Sequence, residues 1–346
     1  MEKEGLFGKT LQELKLVVAG IGMPKFTANQ IADWLYKKDI NSIDEMHNLS
    51  KKARIKLNEQ YTFGTNAPQS VQESNDGTKK YLYISNSGNF IETAYIPDEN
   101  RNTLCVSSQV GCRMACEFCM TGRQKFNGNL SAADIVNQLR SLPEWQKVSN
   151  IVYMGMGEPM DNLQEVLKSL EILTSDWGMQ MSPRRITVST IGVIDAMREF
   201  LEKSDANLAV SMHNPFDAER KDIMPVQNAN PIADIVVELK KHDWNGQRRV
   251  SFEYIVFEGL NHSDKHVNKI ASLLNGLKSR MNLIRFHQIP DSRLAATVDN
   301  HLLDFQAKLK SKGIMTTIRA SRGQDIDAAC GLLSTNEMQK LKKAQQ

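Results

Sequence analysis

The sequence predicts an α/β protein built on a full or partial parallel (β/α) barrel, and three observations support this fold class. From about residue 131 onward, short apolar segments alternate with amphipathic segments. This alternation is typical of parallel strands joined by right-handed helical crossovers. Residues 1–60 show helical periodicity instead, and residues 69–107 show short alternating strands. The chain of 346 residues is long enough for a barrel with two small additions.

The segment before the barrel divides into two predicted parts. Residues 1–60 are rich in lysine and predict a small helical accessory domain. Thr27 and Ser50 are placed to cap two of its helices, because their hydroxyls can accept hydrogen bonds from a first helical turn. Residues 61–100 predict a short β extension, with its clearest strand at 80–84.

The barrel core is expected over residues 101–333, and a polar C-terminal helix over 334–346. After a first strand near Cys105, six further strands are predicted, at 150–154, 185–189, 208–211, 250–256, 282–286 and 315–318. Amphipathic helices are predicted between them, at 163–173, 194–201, 232–241, 267–277 and 302–309. We expect functional side chains at the C-terminal ends of these strands.

Composition excludes several classes of protein. Hydrophobic residues make up 41% of the chain and charged residues 24%, so wholesale disorder is excluded. No apolar run approaches ~18 residues, which excludes a transmembrane helix. The charged N-terminal segment lacks the apolar region of a secretory signal, so a cytoplasmic protein is expected. The net charge of +3 is too small to indicate nucleic-acid binding by itself.

Cysteine usage is more informative than charge. There are five cysteines, an odd number, and four of them lie close together, which argues against a secreted disulfide framework. The segment Cys112-Arg-Met-Ala-Cys116-Glu-Phe-Cys119 follows a predicted strand. Three thiolates can bind three irons of a [4Fe–4S] cluster, which ordinarily uses four cysteines. The alternative is a structural zinc site, for which only Cys105 is a nearby fourth ligand.

The spacing of these cysteines, with Phe118 before the last one, is similar to the cluster loop of the radical S-adenosylmethionine (SAM) superfamily. Met154-Gly-Met-Gly-Glu-Pro159 resembles that superfamily's glycine-rich strand end. With segments 104–112, 185–190 and 325–331, the chain resembles the RlmN/Cfr family of RNA methyltransferases over nearly its whole length. This resemblance implies a partial (β/α)6 radical SAM barrel.

The resemblance also implies the cofactors and further binding residues. A [4Fe–4S] cluster would be held by Cys112, Cys116 and Cys119, with its fourth iron bound to SAM, and two SAM molecules would be used per turnover. Other SAM contacts are implied at Gly157, Glu158, Ser189, Ser211, Met212, His213 and His287. His287 departs from the family pattern, in which asparagine is common, although either side chain can hydrogen-bond an adenosine group.

The activity implied by the resemblance is methylation of an adenine carbon in large-subunit rRNA and in tRNA. Cys330 would carry the methyl group and become joined to the RNA, Cys105 would resolve that adduct, and Glu92 would remove the proton from the adenine carbon. Pro159 and segment 319–323 favour the carbon-2 branch over the Cfr-type carbon-8 branch. An external one-electron reductant is expected, no membrane is involved, and the chain is expected to be a monomer.

RNA contacts are expected from local groups of basic residues, since the chain as a whole is barely basic. Such groups lie at 51–56, 123–125, 184–185, 240–249 and 319–322. With the resemblance, the helical domain at 1–60 is expected to be an RNA-binding accessory domain. Three alternatives stay open from the sequence. They are carbon-8 methylation, a radical SAM activase or sulfur-inserting enzyme that does not need Cys330, and a non-enzymatic iron–sulfur or zinc RNA-binding module.

Overall fold

A computed structural model of the chain describes residues 3–244, 246 and 248–334. The predicted C-terminal helix at 334–346 lies outside the described residues, apart from Ser334, which is not helical. The N-terminal elements are β1 (Glu4–Gly5), α1 (Leu11–Gly20), α2 (Thr27–Lys37), α3 (Lys51–Gln60) and β2 (Tyr61–Thr62). Strands β1 and β2 pair in parallel.

Helix capping in this segment follows the sequence only in part. The Ser50 hydroxyl accepts a hydrogen bond from the Ala53 N–H, so the cap predicted for α3 is confirmed. The cap predicted at Thr27 is wrong, because Thr27 is the first residue of α2 and Phe26 precedes it without a side-chain cap. Thr10 and Glu13 form a capping box at the start of α1, which stabilises that helix end.

A ten-stranded sheet forms the centre of the molecule. Its strands, in spatial order, are β14 (Met315–Ile318), β13 (Ser279–Arg285), β12 (Val250–Val256), β11 (Asn207–Ser211), β10 (Ile186–Thr190), β9 (Asn150–Tyr153), β6 (Thr103–Cys105), β5 (Phe90–Ile96), β4 (Lys79–Ile84) and β3 (Ser70–Glu73). A separate ribbon pairs β7 (Gln109–Val110) with β8 (Gly128–Asn129). The helices along this part are α4 (Met120–Arg123), α5 (Ala132–Arg140), α6 (Leu163–Thr174), α7 (Ile194–Lys203), α8 (Asp217–Ile223), α9 (Ile232–Leu239), α10 (Asp264–Leu274) and α11 (Asp299–Ser311).

Seven strands of this sheet, β6 and β9 to β14, are parallel. Strands β3, β4, β5 and β6 each run antiparallel to the next. The parallel part contains six βα units and a final strand, as a partial (β/α)6 barrel requires. The barrel is open, since no described pairing joins β14 to another strand besides β13. The β extension is therefore continuous with the barrel sheet.

The two faces of the parallel sheet differ in polarity. Residues on the outer face, such as Tyr153, Val188 and Phe252, are buried and apolar, because the helices cover them. Alternate residues on the inner face, such as Ser251 and Glu253, line an open cavity. Side-chain alternation along each strand thus produces an apolar shell around a polar interior.

None of the helices in the described part of the chain combines the length and the apolar character that crossing a membrane requires.

Candidate active site

The three-cysteine motif lies on a loop between β7 and α4. Gly111 starts the loop with a positive φ of 73°, and a Cβ there would lie 2.2 Å from the Lys125 carbonyl oxygen, so only glycine fits. Cys116 is buried, and Cys112 and Cys119 are half-buried. The loop is held from outside by the Ile223 carbonyl, which accepts from the Glu117 N–H at 3.0 Å.

The donor set of this loop fits an iron–sulfur cluster. Burial raises the pKa of the Cys112 thiol to about 12 and also raises the pKa of Cys116 and Cys119. The neighbouring Cys119 and Cys112 add to this effect at Cys116. Cysteine binds iron as the thiolate, so a cluster would have to displace the three thiol protons, and three ligands leave one iron of a four-iron cluster open.

An apolar cluster surrounds this loop and shields it from water. Besides Cys116 and Phe118, it contains Ile191, Ile223, Met224, Ile255, Phe257, Ile284, Phe286, Ile289 and Leu294. Most of these residues lie at or beyond the C-terminal ends of the parallel strands. The Phe118 ring contacts the His213 ring edge-on, with 4.6 Å between centroids. The cysteine loop and the strand ends therefore form one packed unit.

The glycine-rich segment after β9 brings the chain close to the β6–β7 connection. Gly157 has φ 100°, and a Cβ there would lie 2.5 Å from the Gln109 Cβ. The Glu158 carboxylate is buried and accepts hydrogen bonds from the Met160 N–H at 3.1 Å and the Ile191 N–H at 3.0 Å. Burial raises the pKa of Glu158 to about 7. Glu158 thus joins the loops after β9 and β10, and its contact with SAM stays a prediction.

The end of β11 carries three of the residues predicted to bind SAM. Ser211 is half-buried, whereas Met212 and His213 are buried. His213 has φ 53°, and its Nδ1 accepts from the Ile255 N–H at 2.9 Å, so the ring proton lies on Nε2. Burial lowers the pKa of His213 to about 3, which keeps the ring neutral. Ser189 is half-buried one strand away, on β10.

Sequence reasoning missed Arg220, which holds these strand ends together. Its guanidinium is fully buried and donates to the carbonyl oxygens of Ile191, Ser211 and Met212 at 2.9, 3.0 and 3.1 Å. Burial lowers its pKa to about 10, which leaves the side chain charged at neutral pH. Arg220 lies among other charged residues of α8, so the sequence did not indicate that its side chain is buried.

A cavity of about 590 Å³ fills the interior of the partial barrel. Of the residues predicted for the site, Cys105, Cys330 and His287 line it. Cys105 is buried at the end of β6, and Cys330 is exposed to the cavity on the loop after β14. Burial, followed by the charge of Cys330, raises the pKa of Cys105 to about 12. Burial also lowers the pKa of His287, and the Arg285 charge adds to this effect.

The Cys330 loop lies directly against the cysteine motif. The Met120 N–H donates to the Gly331 carbonyl at 2.8 Å, and the Thr121 hydroxyl donates to the Leu333 carbonyl at 2.7 Å. The structure therefore places Cys105 and Cys330 in one cavity and the three-cysteine loop against the Cys330 loop, although they come from distant parts of the chain.

An ion pair lies beside the two cavity cysteines. Arg319 Nη1 is 3.2 Å from Glu253 Oε2, and Asn282 Nδ2 donates to Glu253 Oε1 at 2.8 Å. The charges of Cys330, Glu253 and Cys105 each raise the pKa of Arg319. The sequence placed Arg319 among the residues that contact RNA, but the structure pairs it with Glu253 inside the barrel.

Glu92 is buried on β5 and does not line the cavity. Its Oε2 accepts from the Ser334 N–H at 2.8 Å, and its Oε1 is 3.3 Å from Lys80 Nζ. The carboxylate is therefore separated from the cavity by the chain around Leu333, which does line it. The role of Glu92 as a base stays a prediction.

Comparison with known proteins places the chain among others of this architecture. Residues 106–270 match the family model for the radical SAM superfamily, and residues 5–62 match that for the ribosomal RNA large subunit methyltransferase N-terminal domain. A radical SAM methyltransferase from Sphaerobacter thermophilus has a similar structure. Its TM-score is 0.89 with 34% identity, covering 95% of this chain and 99% of that one.

Similar sequences extend over nearly the whole chain. The probable dual-specificity RNA methyltransferase RlmN of Phocaeicola vulgatus is 53% identical, over 98% of this chain and 97% of that protein. Its counterpart in Bacteroides thetaiotaomicron is 52% identical, over 99% and 100%. The dual-specificity RNA methyltransferase RlmN of Geotalea uraniireducens is 40% identical, over 96% and 97%.

The open (β/α)6 sheet and the three-cysteine loop, with these matches, define a radical SAM enzyme. Such enzymes use a [4Fe–4S] cluster and SAM, and the three-cysteine donor set of this chain fits that cluster. Within the superfamily, the chain belongs to the RlmN family of RNA methyltransferases.

Proposed function

We propose that this protein methylates carbon 2 of adenine in RNA. The proposed substrates are an adenine in the peptidyl-transferase region of large-subunit rRNA and the adenine 3′ of the anticodon in tRNA. Membership of the RlmN family supports the reaction, and the dual specificity named for its relatives agrees with two RNAs. The observation that carries the proposal is that Cys105 and Cys330 line one cavity beside the three-cysteine loop.

The first requirement of this reaction is a protected site for the cofactors. A [4Fe–4S] cluster with bound SAM would supply a 5′-deoxyadenosyl radical, which activates the methyl group on Cys330. This is needed because adenine carbon 2 is too unreactive for direct methyl transfer. In the proposed site, Cys112, Cys116 and Cys119 hold the cluster, and the apolar residues around Phe118 exclude water. Neutral His213 can donate a hydrogen bond from Nε2 to bound SAM. Gly157, Glu158, Ser189, Ser211, Met212 and His287 are the further SAM contacts that we propose.

The second requirement is a pair of thiols that can react with each other. In the proposed cycle, Cys330 accepts a methyl group from one SAM, and the 5′-deoxyadenosyl radical would take a hydrogen atom from that S-methyl group. The remaining methylene carbon would bond to adenine carbon 2 while it stays bonded to the Cys330 sulfur. The adduct would then give up one electron to the cofactor and the carbon-2 proton to a base. The Cys105 thiolate then attacks the Cys330 sulfur, so that an S–S bond forms and the S–C bond breaks. The electron pair of the broken bond passes to the carbon, which takes up a proton and becomes the methyl group. An external thiol must reduce the resulting disulfide.

The surroundings of Cys105 favour a thiol that stays protonated until the RNA adduct has formed. Its burial and the nearby Cys330 raise its pKa to about 12, so the thiol stays protonated at neutral pH. The Arg319 charge acts in the opposite direction and lowers the pKa of Cys105. Arg319 is therefore the group in this cavity that favours formation of the attacking thiolate.

Glu92 is our proposed base for removal of the proton from adenine carbon 2. Its hydrogen bond from the Ser334 N–H connects it to the chain just after the Cys330 loop. Lys80 Nζ lies 3.3 Å from the other oxygen of the buried carboxylate. Because Glu92 does not line the cavity, movement of residues 333–334 must precede its contact with RNA. Movement of the Cys330 loop on RNA binding would then also give Glu92 access to the substrate.

Arginines at one edge of the cavity support an RNA substrate. The cavity lining includes Arg101, Arg184, Arg185, Arg249, Arg280 and Arg322. Arg184, Arg185 and Arg249 directly precede strands β10 and β12, so they share the N-terminal edge of the parallel sheet. Arginines of this kind bind phosphates and position RNA, while a cavity of about 590 Å³ can enclose one flipped base. We further propose that an external one-electron reductant serves a monomeric enzyme.

The position of the methyl group on adenine tests this function. The cluster-loaded protein is incubated anaerobically with SAM, a one-electron reductant and an rRNA fragment or tRNA, and the digested nucleosides are analysed by mass spectrometry. We expect 2-methyladenosine with the native chain and none with Cys330→Ala. Formation of 8-methyladenosine alone would instead establish the Cfr-type reaction. Undiminished methylation by Cys330→Ala, or no SAM cleavage at all, would contradict the proposal.

A further inference from the structure

Three side chains away from the cavity form a compact group with the chemistry of a metal site. Glu258 and His262 lie on the connection between β12 and α10, and His301 lies in the first turn of α11. One donor atom from each of the three side chains lies within 4.8 Å of the other two. None of these residues has a role in the function proposed above.

Hydrogen bonds already orient two of the side chains for metal binding. His262 Nδ1 is 3.0 Å from the Phe257 carbonyl oxygen. Because a carbonyl can only accept, Nδ1 carries the ring proton and Nε2 keeps a free lone pair. The Thr297 hydroxyl donates to Glu258 Oε2 at 2.8 Å and fixes the carboxylate. Such contacts behind the ligands are typical of histidine and carboxylate metal sites.

His301 completes the group from the opposite side. Its Nδ1 lies 3.0 and 3.1 Å from the two carboxylate oxygens of Glu258. The His262 and His301 rings are nearly parallel, with centroids 5.4 Å apart and 24° between their planes. Together with the Thr297 hydroxyl, His301 therefore holds both oxygens of the Glu258 carboxylate in place.

We propose that Glu258, His262 and His301 bind a divalent transition metal of the zinc type. Two imidazoles and one carboxylate are a ligand set that Zn²⁺ prefers, at about 2.0–2.2 Å from the metal, and a fourth position would remain for water. The donor atoms need to approach one another slightly, which the half-exposed His301 side chain can do.

A metal at this position would connect two elements that support the predicted SAM site. It would join α11 to the segment that contains Asn261. The Asn261 amide is buried and donates to the carbonyl oxygens of His213 and Ile255 at 2.7 and 2.8 Å. The inferred metal is therefore structural, and the proposal does not depend on the methylation reaction.

Zinc titration of the cluster-loaded protein tests the inference, because the three-cysteine loop is then occupied by iron. The native chain should bind one zinc per chain in anaerobic calorimetry, and His301→Ala should weaken binding at least tenfold. Glu258→Gln should have a similar effect, and Thr297→Val should cost about tenfold. His47→Ala, which changes an exposed histidine elsewhere, should bind zinc like the native chain.

Thermal unfolding provides a second measurement on the same proteins. Zinc should raise the melting temperature of the native chain and of His47→Ala, but not that of His301→Ala or Glu258→Gln. Unfolding curves without zinc show whether each variant is folded. Equal zinc affinity in the native chain, His301→Ala and Glu258→Gln would overturn the inference. So would an absence of zinc binding by the native chain, which would leave Glu258 and His301 as an ion pair only.

Discussion

Cys105 shows how much a single residue's role depends on its surroundings. Its thiol is buried, its pKa is raised to about 12, and its nearest cationic influence is Arg319. The sequence identified Cys105 only through resemblance, because an isolated cysteine on a short strand is ordinarily a small buried apolar residue. The cavity that Cys105 shares with Cys330, and the Arg319–Glu253 ion pair, bring together residues far apart in the chain and could not be predicted from spacing.

Replacement of Cys105 separates formation of the proposed RNA adduct from its resolution. In Cys105→Ala, the adduct through Cys330 should form but not break down, because no second thiol can attack the Cys330 sulfur. Denaturing gel electrophoresis with labelled RNA should show a protein–RNA species that survives heating in detergent. The double variant Cys105→Ala/Cys330→Ala should lack it. Normal turnover by Cys105→Ala, without trapped RNA, would refute the resolving role.

His213 should make the stability of the fold sensitive to acid. Its pKa is lowered from 6.5 to about 3 in the native state, so between these values the unfolded chain binds a proton that the native chain does not. Stability is therefore lost as the pH falls below 6.5. Between pH 6.5 and 4.5 the loss amounts to about 2 kcal/mol.

Urea unfolding at those two pH values measures this contribution. His213→Asn keeps a side-chain acceptor and tolerates the positive φ, but it cannot titrate. We expect its stability to change less between pH 6.5 and 4.5 than that of the native apoprotein, by about 2 kcal/mol. His47→Asn should behave like the native chain. An equal loss in the native chain and in His213→Asn would show that His213 is not the acid-sensitive group.

Among the elements, the loop from β7 to α4 depends most on one backbone position. Gly111 has φ 73°, and any side chain there would collide with the Lys125 carbonyl. Gly111→Ala should destabilise the protein by at least about 2 kcal/mol and lower the iron content after cluster reconstitution. Gly88→Ala is the matched control, because Gly88 has φ 76° but no neighbouring atom within 4 Å.

The comparison between these two alanine variants separates the steric clash with Lys125 from the cost of a left-handed backbone at a residue other than glycine. Gly88→Ala should cost only the left-handed backbone penalty, about 1–2 kcal/mol, and should leave the iron content unchanged. Urea unfolding and iron analysis measure both quantities. If Gly111→Ala loses no more stability than Gly88→Ala and binds iron normally, the close approach to Lys125 is not what determines the loop.

Element boundaries show where sequence patterns are sufficient and where they fail. All six later strands occur where apolar and β-branched runs predict them. Strand β13 nevertheless starts at Ser279, three residues before the predicted start, because Ser279 and Arg280 pair with Val250 and Ser251 of β12 despite their polarity. Helix α10 ends at Leu274, before the predicted end at 277, since Gly276 with φ 78° terminates it.

At the scale of the whole molecule, the open barrel brings together arginines that are far apart in the sequence. The net charge of +3 gives no indication of a basic site. Six arginines nevertheless line the cavity outside the Arg319–Glu253 pair. Arg322 follows β14, and the other five lie near the starts of parallel strands, which share one edge of the sheet. Only the groups at 184–185, 249 and 322 fell within basic runs recognised in the sequence. Arg101 and Arg280 are isolated, so only the fold reveals that they belong with the others.

The central claim is that the methyl group reaches adenine through Cys330, and isotope transfer in a single turnover tests it directly. The protein is first methylated with SAM carrying a deuterated methyl group, and peptide mass spectrometry verifies the label on Cys330. Excess SAM is removed, and RNA, reductant and unlabelled SAM are added. The account predicts that the 2-methyladenosine of the first turnover carries deuterium. Unlabelled 2-methyladenosine in that turnover, with the label still on Cys330, would contradict it.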